Sequence, residues 1–74
     1  MKILLLGTGG VGEAIAVMAK GRPWLEKMVL ADYDLKRAKE VRQKVRGGRA
    51  FPVAQVDAGD KKQIVALAKN MTLI

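Results

Sequence analysis

Gly7, Gly9 and Gly12 stand directly after the apolar run Ile3-Leu4-Leu5-Leu6, and no other feature restricts the fold of this chain so strongly. A short continuous apolar run closed by glycine predicts a strand buried on both faces. Val11, Ala14, Ile15, Met18 and Ala19 then recur at helical spacing, which predicts one apolar stripe on a helix closed by Gly21 and Pro23. In a strand–turn–helix unit each glycine has its own physical task. Gly7 permits the tight turn, Gly9 lets a ligand approach the backbone, and Gly12 lets the helix lie close to the sheet.

The alternation continues along the chain. Met28-Val29-Leu30-Ala31 is a second apolar run, ended by Asp32. Asp34 is placed to cap a second helix, with Leu35, Ala38, Val41 and Val45 facing inward and Gly47-Gly48 stopping it. Ala50 to Val56 predicts a third strand. Pro52 within it has no N–H to give a ladder, which assigns that strand to a sheet edge. Asp60 is the expected cap of a third helix with Ile64, Leu67 and Ala68 inward, and Met71 to Ile74 predicts a fourth strand. The order β-α-β-α-β-α-β predicts an α/β fold with a parallel sheet covered by helices. In the doubly wound, Rossmann-type arrangement the strand order is 3-2-1-4, which again puts the third strand at an edge. Residues 1–74 are expected to be a partial dinucleotide-binding domain, the N-terminal part of a larger protein.

The spacing Gly7-Thr8-Gly9-Gly10-Val11-Gly12 matches G-x-G-x-x-G between a predicted strand and a predicted helix, the context in which this pattern holds a pyrophosphate. Free N–H groups and the positive dipole end of the helix supply the attraction. Gly10 adds room, and Thr8 and Val11 are expected to line the phosphate site through their backbones. Asp32 lies 20 residues beyond Gly12, where a carboxylate accepts bonds from the adenosine ribose and repels a 2′-phosphate. This favours NAD, while Lys36 and Arg37 keep NADP open. Asp57 follows the third strand and either approaches the adenine or serves as a turn acid.

Other chemistry is excluded or unsupported. The chain has no Cys and no His, so it contains neither a zinc site of the Cys/His kind nor a Cys or His nucleophile. No metal site is expected, and no residue stands out as catalytic. Glu13 suits the helix dipole and Trp24 is expected to be a packing anchor. Net charge is +7, and Lys36, Arg37, Lys39, Arg42, Lys44, Arg46 and Arg49 face only Glu40 in their stretch. With three aromatics in the whole chain, this cluster is expected to be a solvated helix face rather than a nucleic-acid surface. No apolar run is long enough to span a membrane, and the lack of Cys fits a reducing, cytoplasmic setting. The outer edge of the fourth strand is expected to promote self-association.

Three segments together resemble the N-terminal cofactor domain of the saccharopine dehydrogenase family: Lys2 to Gly12, Leu30-Ala31-Asp32-Tyr33-Asp34-Leu35 with Lys39, and Val56-Asp57-Ala58-Gly59-Asp60. The resemblance implies phosphate-loop glycines at Gly7, Gly9 and Gly12, the strand-end residue at Asp32 and an adenine-edge acid at Asp57. Tyr33 and Ala58 fall inside the same segments and are expected to belong to the cofactor site as well. NADP-using members tend to carry Arg where this chain has Tyr33, so the resemblance also leans toward NAD. It implies an oxidoreductase of amino-acid metabolism whose substrate-binding residues lie in a later domain, so this segment alone is not expected to catalyse. The chain is similar, too, to regulatory nucleotide-binding domains of potassium channels and transporters, in which the nucleotide is a signal rather than a reactant.

Overall fold

A computed structural model of the chain describes residues 1–46 and 48–74. The elements are β1 (Lys2–Leu6), α1 (Gly10–Ala19), β2 (Lys27–Asp32), α2 (Leu35–Val45), β3 (Val53–Gln55), α3 (Lys61–Ala68) and β4 (Thr72–Leu73). The strands form one parallel sheet in the order β3-β2-β1-β4, as the alternation predicts. Leu4 lies opposite Val29 and Leu30 opposite Val53, so the longest apolar runs occupy the middle of the sheet. Ile3, Leu4 and Leu5 are all buried, which is why the first run carries no polar alternation.

The two faces of the sheet have separate cores. On one, Ile3, Leu5, Met28 and Leu30 pack with Ala16 and Ala19 of α1, with Ala38, Val41 and Val45 of α2, and with Phe51. On the other, Leu4, Val29, Ala31 and Val56 pack with the half-buried Ile64, Leu67 and Ala68 of α3.

Two local expectations change, and a third lies partly outside the described residues. The buried face of α1 is Gly12, Ala16 and Ala19, whereas Val11 and Met18 are exposed and Ile15 is half-buried. Small residues face the sheet because the helix lies close to it. The third strand is shorter than Ala50 to Val56: Gly48–Ala50 forms a 3-10 turn, Phe51 plugs the core, and pairing starts after Pro52. Pro52 still joins the ladder through its carbonyl, which accepts from the Leu30 N–H, and β3 is an edge strand as its proline requires. The second helix is capped by Arg46, whose φ of 56° turns the chain left-handed; Gly47, expected to stop it, lies outside the described residues.

Asp34 and Asp60 cap α2 and α3 as expected, their carboxylates accepting from Arg37 N and Gln63 N. Trp24 is half-exposed rather than a buried anchor. Glu13 pairs with Lys44 at 3.4 Å and so links α1 to α2.

Candidate functional site

The first turn of α1 differs from those of the other two helices. Its N-cap is Gly9, which has no side chain to offer, whereas α2 and α3 satisfy a first-turn N–H with an aspartate. The first intrahelical bond runs from Glu13 N to Gly9 O at 2.8 Å. The N–H groups of Gly10, Val11 and Gly12 precede it, and a helix has no internal partner for them. An anion at this end would satisfy them and meet the positive end of the dipole.

The glycines divide into distinct roles. Gly7 has φ +87°, a conformation that side chains rarely adopt, and its N–H donates to Ala31 O at 2.7 Å, tying the turn to β2. A Cβ on Gly9 or Gly10 would meet nothing within 4 Å, so those two face open space. A Cβ on Gly12 would overlap the Gly7 carbonyl oxygen. Gly12 is therefore a packing glycine, and Gly9 and Gly10 leave the volume that a pyrophosphate would fill. The cradle fits such a group.

Two hollows flank this loop. One, of about 440 Å³, runs along Gly7, Gly9, Gly10 and Val11 toward Ile74. The other, of about 220 Å³, lies between Thr8, Gly9 and Gly10 and the α2 residues Arg37, Glu40 and Lys44. A third, of about 280 Å³, is lined by Tyr33, Gln55, Val56, Asp57 and Gln63 at the ends of β2 and β3. All three belong to the carboxyl ends of the strands, where ligands bind in open parallel sheets.

Asp32 is buried at the end of β2 and both its oxygens are engaged. Oδ2 accepts from the Thr8 N–H at 2.8 Å and the Thr8 hydroxyl at 2.7 Å, and Oδ1 accepts from Asp34 N at 2.9 Å. Burial opposes its ionisation. Hydrogen bonds from the Thr8 hydroxyl and from the N–H groups of Asp34 and Thr8, with the Arg37 guanidinium nearby, outweigh burial and hold the carboxyl below its ordinary range. Thr8 is itself buried, and its N–H points at Asp32 rather than outward. The amides left for a phosphate are thus those of the helix turn, including Val11, whose side chain is exposed.

Tyr33 is exposed beside Asp32. Asp57 is exposed, and its Oδ1 accepts from Gly59 N at 2.8 Å, so it braces the turn that follows β3. Ala58 is exposed within that turn. Sequence reasoning missed Gln55 and Gln63. Gln55 donates to Tyr33 O at 3.2 Å, and Gln63 accepts from Asp57 N at 3.0 Å, so the two amides brace the loops after β2 and β3. Their only signal was position, at a strand end and in a helix first turn.

Among the described residues no group of three or more His, Cys, Asp or Glu could hold a metal ion, and no helix is long and apolar enough to cross a membrane. A separate hollow of about 420 Å³, lined by Ile15, Met18, Trp24 and Ile74 among others, is mainly apolar and carries no glycine of the loop.

The family model for the saccharopine dehydrogenase NADP binding domain matches residues 3–74, which includes the glycine cradle, the Asp32 strand end and the Asp57 turn. With a glycine cradle open to an anion, a parallel sheet in the order 3-2-1-4 and that match over nearly its whole length, the chain belongs to the saccharopine dehydrogenase NADP-binding domain family and is a nicotinamide dinucleotide-binding oxidoreductase domain.

Proposed function

We propose that this chain holds the adenosine and pyrophosphate half of NAD, in preference to NADP, as part of a dehydrogenase acting on amino-acid substrates. The uncapped first turn of α1 beneath the open Gly9–Gly10 surface carries this reading. Gly10, Val11 and Gly12 would donate N–H groups to the pyrophosphate, Gly7 would hold the turn, and Thr8 would fix the loop from below. Tyr33, Asp57 and Ala58 would border the adenosine. The Asp32 charge beneath the ribose end, with Tyr33 in place of a cation, disfavours a 2′-phosphate; Arg37 acts in the opposite direction and is the nearest compensating charge. When bound, the nicotinamide supplies the hydride chemistry. The residues named above would bind and orient the dinucleotide.

Calorimetric titration with NAD, NADP and ADP-ribose tests the proposal. NAD and ADP-ribose should bind with similar affinity, because only their shared half meets this chain, and NADP should bind more weakly. Gly9→Val should abolish binding with only a small fall in melting temperature, since its Cβ would enter open space while valine is a poorer helix cap than glycine. Tighter binding of NADP than NAD would overturn the preference, and a wild-type chain that binds none of the three would overturn the site.

A further inference from the structure

In the expected scheme Asp32 is a ribose ligand, yet its oxygens point into the protein. A carboxylate offers about four lone-pair positions. Three are taken: two by Thr8 and one by Asp34 N. Asp32 sits at the end of β2 and Thr8 within the glycine loop, 24 positions earlier in the chain. The contact therefore joins the loop to the neighbouring strand, beside the Gly7 N–H to Ala31 O bond. Thr8 lies between the turn glycine and the helix cap, so fixing it fixes where the α1 amides point.

We propose that the Thr8–Asp32 pair is a latch that preforms the phosphate cradle, and that Asp32 acts on dinucleotide affinity mainly as a positioning residue rather than as a ligand of the ribose. This rests on the dinucleotide reading above and adds to it. A glycine-rich segment has much conformational freedom to lose when a ligand orders it. A latch that removes that freedom beforehand strengthens binding of anything held by the loop. It acts on the pyrophosphate, whatever sugar is attached. Thr8 suits the task because one residue supplies two donors to one oxygen, and a charged acceptor strengthens both bonds. Asp34 N holds the second oxygen and so sets the direction in which the carboxylate faces.

The two roles of Asp32 separate by ligand and by variant. Affinities for NAD and for inorganic pyrophosphate are measured on the full chain by NMR titration, for wild type, Thr8→Val, Thr8→Ser and Asp32→Asn. If the pair is a latch, Thr8→Val weakens both ligands by the same factor, roughly ten- to a hundredfold, as loss of one charge-assisted hydrogen bond implies. Thr8→Ser, which keeps the hydroxyl, restores both, and Asp32→Asn weakens both. If Asp32 is chiefly a ribose ligand, Asp32→Asn weakens NAD alone and Thr8→Val leaves pyrophosphate unchanged, which overturns the proposal. Amide hydrogen exchange gives a readout without ligand. In the wild type the Thr8 N–H should be protected, and in Thr8→Val the amides of residues 8–12 should exchange faster while those of Leu5 and Leu30 do not. A wild-type Thr8 amide that exchanges as freely as an exposed turn amide rejects the latch, even if a variant fails to fold. Failure of the wild type to bind either ligand counts against the dinucleotide reading instead, and exchange then decides the latch alone.

Discussion

The two faces of the sheet are built differently. One carries α1 and α2 with the fully buried Phe51, Met28 and Leu30 beneath them, and small residues bring α1 close. The other carries α3 alone, which has no fully buried residue. The difference follows from strand order. Two crossovers run from β1 through β2 to β3, and a single crossover returns past them to β4. The face with two helices also carries the glycine loop, so the cradle stands on the better-packed side. Dense packing beneath that loop, and looser packing where α3 lies, suits a site formed ahead of its ligand.

Substitutions can break this comparison. The largest effect is expected at Phe51. Phe51→Ala should cost about 3–5 kcal/mol, against a total of roughly 4–11 kcal/mol for a chain of 74 residues. Urea denaturation should find its midpoint far below that of the wild type. Gly12→Ala comes next, because its Cβ has no place beside the Gly7 carbonyl. Overpacking of this kind costs about 1–3 kcal/mol, and it should lower dinucleotide affinity by displacing α1, whereas Gly9→Val should block the ligand with a smaller loss of stability. Ile64→Ala on the single-helix face should cost about 1–2 kcal/mol, less than the roughly 2–5 kcal/mol of a fully buried isoleucine, since the residue is only half-buried. A larger loss at Ile64 than at Phe51 would reverse the comparison.

The smallest effect concerns acid. The folded-state pKa of Asp32 is lowered. Its contribution to stability is therefore complete above the pKa it has in the unfolded chain, and it is lost as pH falls through the lower, folded value. Thermal melts from neutral pH downward should show the wild type losing stability in that acid window more steeply than Asp32→Asn, which has no carboxylate to titrate there. Parallel curves would mean that the carboxylate bonds contribute nothing to the fold.

Much of this was legible in the residues. Apolar runs that end in glycine or aspartate, and aspartates at two helix starts, are local signals, and strand number, strand order and both caps follow from them. Pro52 even placed its strand at the edge, because a missing N–H matters wherever the chain goes. The buried stripe of α1 was misread. Hydropathy favours Val11 and Met18, but a helix held against a glycine turn turns its smallest residues, Gly12, Ala16 and Ala19, toward the sheet. The start of the third strand was misread as well, because Phe51 fills the core from an irregular segment.

The sequence by itself determined the glycine cradle, an open turn that leads into a helix start without a side-chain cap, because a glycine's freedom and a helix's unpaired amides are properties of a few consecutive residues. Only the tertiary structure decided what surrounds that cradle. Thr8 and Asp32 are far apart in the chain, and nothing local specifies that a threonine in one loop will use both its donors on an aspartate at the end of the adjacent strand. Parallel pairing of β1 with β2 brings them together, and it turns an acid expected to face the ribose toward Thr8 in the glycine loop.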